Sequence, residues 1–119
     1  LTKLPQNIFA HNPMLKRFDM SNTPLRELHK NTFKYNSRLV IISIDRNEIE
    51  YLHPQLFIHN LALVRLWIDH NKIRDLDPYI FAQNTNLARI HIQWNKFENI
   101  EKLKASLVLP RSIEEFLWK

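Results

Sequence analysis

One interval rules this sequence: apolar residues return every 24 positions across most of its length. Leu1, Leu4 and Phe9 share their phases with Leu25, Leu28 and Phe33, with Ile49, Leu52 and Phe57, and with Ile73, Leu76 and Phe81. A second set keeps the same interval: Leu15, Phe18 and Met20, then Leu39, Ile42 and Ile44, then Leu63, Leu66 and Ile68, then Leu87, Ile90 and Ile92. Each triplet in this second set reads apolar-x-x-apolar-x-apolar, the alternation of a short strand with one buried face. Asn47, Asn71 and Asn95 stand three places after the last apolar residue, and Thr23 holds that place in the first full unit. A unit of this size cannot close a core of its own. Neighbouring units must therefore stack, pairing their strands in parallel about 4.8 Å apart and turning each apolar phase into a ladder of like side chains.

The period divides the chain into a partial unit at 1–14, regular units at 15–38, 39–62 and 63–86, an irregular unit at 87–112, and the start of another at 113–119. Together they form a single domain. The irregularity is local. Ala105 stands where the phenylalanine phase falls due, and the next strand pattern, Ile113, Phe116 and Trp118, arrives two places late. Between them, Ile100, Leu103, Leu107 and Val108 have a spacing compatible with a helix that substitutes for the lost phenylalanine. Trp118 is expected in the core. The pattern begins in mid-unit and ends before a turn asparagine, as in an excised piece of a longer solenoid, and neither end carries a polar or disulfide-closed cap.

The consensus L-x-x-L-x-L-x-x-N-x-L, continuous from Leu1 to about Leu103, resembles the leucine-rich repeat family in its 24-residue extracellular form. The F-x-x-N-x-x-L junctions, such as Phe33 to Leu39 and Phe81 to Leu87, are similar to those of insect Toll-like receptors and mosquito immune leucine-rich proteins. The resemblance implies an α/β solenoid with a curved parallel β-sheet on its concave face and an irregular or short-helical convex side. It also implies an extracellular protein, either secreted or a receptor ectodomain, that binds a protein ligand or co-receptor on the concave face without catalysis. For a second asparagine column, Asn12, Asn36, Asn60 and Asn84, it implies a structural role in turns. The first asparagine column has a physical reason to exist. An amide can donate and accept toward backbone groups that the turn leaves away from water, and losing such a partner costs about 1–3 kcal/mol. Thr23 offers only a hydroxyl, so the first turn should be the weaker one. The Phe9 to Phe81 column should stack as an aromatic spine.

Composition narrows the function. Cysteine and glycine are both absent, which removes disulfides, thiolate metal sites and glycine-rich phosphate loops. Without glycine, left-handed backbone positions are expected to fall on Asn or Asp. The net charge of +5 raises the question of a nucleic-acid partner. The predicted concave columns answer it: Lys16, Arg17, Arg46, Arg65, Arg89 and Lys119 are set against Asp19, Asp45, Asp69, Glu114 and Glu115. A nearly balanced face suits a protein partner better than nucleic acid, which calls for Lys and Arg concentrated on one side. The remaining positive charge, including Arg26, Lys30, Lys34, Lys72, Lys102 and Lys104, falls on turns and the convex side. No apolar run is long enough to insert in a membrane.

The candidate ligand-binding residues are Ile41, Asp45, Arg65, Trp67, Asp69, His70, Arg89, His91 and Trp94. Tryptophan at an open strand position gains only when covered, and Trp67 among arginines has the composition of an interface hot spot. The simpler alternative lays Trp67 across Arg65 or Arg89 as a surface stack. Asp45 and Asp69 share a column in the manner of a coupled carboxylate pair, but Arg46 and Arg65 beside them favour an ion-paired surface. His70 and His91 are placed to approach each other, yet no third ligand completes a metal site. No serine or histidine constellation marks a nucleophile, and no cofactor is implied. The competing functional reading is a structural or dimerising spacer that uses its lateral or convex surface.

Overall fold

The computed structural model describes residues 2–119; Leu1, the first member of its apolar phase, lies outside the described residues. Five three-residue strands form one sheet in sequence order: β1 (Arg17–Asp19), β2 (Ile41–Ser43), β3 (Arg65–Trp67), β4 (Arg89–His91) and β5 (Glu115–Leu117). Every pairing is parallel. The register follows the 24-residue phase through Arg17, Ile41, Arg65 and Arg89, and then reaches Glu115 across the longer irregular unit. The fold is thus a leucine-rich-repeat solenoid. Its strands are short because each unit spends only a few residues on the sheet before the asparagine turn bends the chain away.

The central residue of each strand points inward, and Ile42, Leu66 and Ile90 are fully buried with Ile44, Ile68 and Ile92 beside them. Behind them runs the aromatic spine. Ring centroids of Phe9, Phe33, Phe57 and Phe81 are separated by 6.4, 6.3 and 6.2 Å with nearly parallel planes. Phe18 enters this spine edge-on, 4.9 Å from Phe9 and 5.5 Å from Phe33. The next three units hold Ile42, Leu66 and Ile90 in that place and make no such ring contact.

Both asparagine columns stitch unit to unit. Asn71 donates through Nδ2 to the carbonyls of Ile44 (3.0 Å), Ile68 (3.1 Å) and Asp69 (3.2 Å), while its Oδ1 accepts from the Ile49 amide at 3.1 Å. Asn47 does the same work one unit earlier, donating to the Met20, Ile44 and Asp45 carbonyls. Thr23 has no amide to offer. It instead donates its hydroxyl and backbone N–H to Asn47 Oδ1, and Met20 in that unit is only half-buried where Ile44, Ile68 and Ile92 are fully buried. In the second column Asn36, Asn60 and Asn84 are fully buried, and each Nδ2 donates to two carbonyls of the preceding unit. This is the structural turn role the family resemblance implies. Asn12, in the partial first unit, is exposed.

The irregular unit contains the expected helix, α1 (Ile100–Ser106). Asn99 caps its N-terminus, accepting from the Lys102 amide at 3.0 Å, and Leu103 is its buried residue. Leu103 joins the buried core, while Ala105, which stands in the phenylalanine phase, is exposed. Trp118 departs from expectation. It packs against the edge of the core but is only half-buried. One face is covered by Phe116, with ring centroids 4.2 Å apart, and Lys104 Nζ sits 5.5 Å from the Trp118 ring centre.

Candidate binding face

The side chains that the core does not use line up on the opposite side of the same strands. The register stacks Arg17, Ile41, Arg65, Arg89 and Glu115 in one column and Asp19, Ser43, Trp67, His91 and Leu117 in the next. Trp67 and His91 are therefore direct neighbours. Their rings are 4.6 Å apart at 30°, so Trp67 stacks on an imidazole and not, as the alternative reading had it, on Arg65 or Arg89. The arginines extend into solvent while the flat histidine ring offers a partner of matching shape.

Each histidine on this face has its own carboxylate. His91 Nε2 lies 2.6 Å from Glu115 Oε1 on the adjacent strand, and His70 Nδ1 lies 2.7 Å from Asp69 Oδ2 on the neighbouring residue. The expected approach of His70 to His91 gives way to these pairs. His70 stacks instead on Trp94, with centroids 5.8 Å apart. Among the described residues no group of three or more acidic, cysteine or histidine side chains is arranged to hold a metal ion.

Asp45 and Asp69 are also drawn to separate partners. Asp45 Oδ1 accepts from the Ser21 hydroxyl at 2.6 Å, and Arg46 Nε lies 3.8 Å from its other oxygen. Asp69, largely buried, holds His70. Arg46 thus pairs as expected, but Arg65 does not reach either aspartate. Glu115 is the residue that the candidate set omitted. The signal was present in the columns, where Glu115 stands one strand over and one step diagonally from His91.

The edge of the face holds the clearest departure from expectation. Asn22, Arg46, His70 and Trp94, one per unit, all have left-handed backbone with φ of 57°, 56°, 55° and 61°. Only the first is asparagine. The turn imposes this conformation because the following residue, Thr23 or an Asn of the ladder, must be aimed back into the solenoid, and the ladder's hydrogen bonds outweigh the local cost. Left-handed backbone at bulky residues costs on the order of 1–3 kcal/mol and persists only where the surroundings enforce it. A consequence is that these side chains project from the rim; Trp94 is 67% exposed.

Eight of the nine candidate residues are at least partly exposed and Asp69 is buried, with Ile41, Arg65, Arg89, Trp67 and His91 on the strands. Asp45 and Asp69 stand at the strand exits, and His70 and Trp94 on the rim.

The sequence pattern of the leucine-rich repeat family matches residues 37–97, just over half of the chain. Among solved structures, Toll of Drosophila in its complex with Spatzle is similar, with a TM-score of 0.77 and 24% identity over 79% of this chain. The glycosylated form of that complex gives the same TM-score, identity and coverage. The leucine-rich repeat domain of mosquito APL1B is similar with a TM-score of 0.67 and 22% identity over 78% of this chain. This chain spans only 12% and 13% of the two Toll chains and 27% of the APL1B chain. No curated protein matches it in sequence.

Proposed function

The chain belongs to the leucine-rich repeat family, and on that premise we propose that it is a non-enzymatic protein-binding module whose concave face contacts a protein partner. The observation that carries this reading is the Trp67–His91 stack at the centre of the sheet, half-buried and flanked by Ile41, Arg65 and Arg89. Aromatic and arginine side chains around a partly covered tryptophan match the composition of protein-interface hot spots. Trp94 at the rim extends the same surface. A tryptophan exposed this far is stabilised by being covered, and its stack on His70 leaves most of its area open.

The setting follows from the same premise. Toll is a fold relative described in complex with the protein Spatzle, and we assign to this chain a partner of the same broad class, a protein ligand or co-receptor met outside the cell. The parent is then a secreted recognition protein or a receptor ectodomain. Among the described residues no helix is long and apolar enough to cross a membrane.

The test is direct. A partner recovered from extracellular fluid on the immobilised wild-type chain is measured against Trp67→Ala. The proposal expects at least a tenfold loss of affinity in a chain that still unfolds cooperatively, with its thermal transition lowered by only a few degrees. Equal affinity for the two forms removes the concave face from consideration and directs the search to the lateral and convex surfaces.

A further inference from the structure

The arginines of the binding face are not alike. Arg17 has a carboxylate two places along its own strand, with Arg17 Nη2 3.7 Å from Asp19 Oδ2. Arg46 on the rim has Asp45, and away from this face Arg26 has Glu48 and Arg74 has Glu50, each within 4 Å. Arg65 and Arg89 have none among the described residues. They occupy directly paired register positions on β3 and β4, so two exposed guanidinium-bearing side chains rise side by side about 4.8 Å apart at the backbone. Like charges facing each other on neighbouring strands repel.

The reason they are unpaired is legible in the next column. Where Arg17 is followed by Asp19, Arg65 is followed by Trp67 and Arg89 by His91. The carboxylates that remain nearby are already engaged. Glu115 stands in register with Arg89 but turns its Oε1 to His91 at 2.6 Å. Asp69 turns to His70, and Asp45 to Ser21 and Arg46. Glu114, just before β5, makes no ion pair with either arginine. The centre of the face therefore holds two guanidinium side chains without an ion pair beside an aromatic stack.

We propose that Arg65 and Arg89 form a two-guanidinium clamp for a carboxylate of the protein partner, and that the partner segment is acidic with an apolar or aromatic side chain covering Trp67. This inference rests on the concave-face reading and specifies its chemistry. Two planar forks on adjacent strands can each donate to a carboxylate set between them, and the pairing relieves the repulsion that the free face retains. The adjoining Trp67–His91 surface gives an apolar neighbour of that carboxylate a place to pack. An acidic peptide with an apolar side chain fits both features.

The clamp is tested with the whole 119-residue chain and two synthetic peptides, acetyl-Gly-Glu-Glu-Phe-Gly amide and its counterpart with glutamines for the glutamates. Nitrogen-15 spectra follow Arg65 and Arg89 Nε–H and Trp67 Nε1–H during titration. The clamp predicts that the acidic peptide moves all three signals and binds at least tenfold more tightly than the neutral one. Arg65→Gln combined with Arg89→Gln abolishes that preference, while Arg38→Gln combined with Arg111→Gln leaves it intact. Equal binding of the two peptides with movement at Trp67 overturns the clamp and keeps the concave face. Silence at all three signals with both peptides overturns both. A heparin-derived tetrasaccharide that binds more tightly than the acidic peptide, moving the arginines but not Trp67, overturns the acidic-peptide assignment in favour of a glycan.

Discussion

The indole of Trp67 rests on the imidazole of His91, 4.6 Å between ring centres, across the one backbone register that places them side by side. His91 is in turn held by Glu115 on the next strand. Three successive strands thus each contribute one member of a single contact, and the stack reports directly on their alignment.

Because this stack lies outside the core, Trp67→Ala should lower stability by only about 0.5–1.5 kcal/mol, the worth of an aromatic pair. Urea denaturation of the two forms measures it. A loss above about 3 kcal/mol would show that Trp67 is a core residue and that lost binding in this variant reflects unfolding.

Asn60 should be far more costly to change although it is polar. Its Nδ2 donates to the carbonyls of Phe33 and Asn36, both at 3.0 Å, from a fully buried position. Asn60→Ala removes one of the two donors to each carbonyl, which keep only the Asn36 and Leu39 amides at 3.2 Å. It also leaves a buried void, so the cost is two lost hydrogen bonds at about 0.5–1.5 kcal/mol each plus the void. Chemical denaturation should show a loss of about 2–4 kcal/mol, and a change below 1 kcal/mol would mean that water reaches those carbonyls.

The phenylalanine spine should respond according to burial. Phe57→Ala removes a fully buried ring between two stacked neighbours and is expected to cost about 3–5 kcal/mol. Phe9→Ala, at a half-buried position in the partial first unit, should cost visibly less. Equal effects in thermal unfolding would contradict a core that loosens toward the first unit.

Arg46 offers a test of the left-handed rim. With φ at 56°, Arg46→Asn substitutes a residue that tolerates this conformation and should raise stability by about 0.5–1 kcal/mol. Arg46→Val places a β-branched side chain there and should lower it by at least about 1 kcal/mol. If both variants unfold together at the wild-type midpoint, the rim conformation carries no strain.

The sequence alone determined the solenoid, since a 24-residue apolar period leaves stacking as the way to bury those side chains and fixes which residues share a column. It reached Phe33, Phe57 and Phe81 as a spine, Leu103 on a helix, and the alignment of Arg89 with Glu115 across a longer unit. It also placed Trp67 beside His91 in one column on neighbouring strands. What it left open were choices among neighbours at similar distance. Whether Trp67 lies on an arginine or a histidine, and whether His91 turns to His70 or Glu115, depends on side-chain directions that periodicity does not encode. The left-handed rim shows the same division. Local preference assigns such backbone to Asn or Asp, but the turn that seats Asn47, Asn71 and Asn95 forces it on Arg46, His70 and Trp94. Hydrogen bonds made across units set the backbone there, because each buried amide satisfies several carbonyls at once and together they outweigh the preference of any one residue.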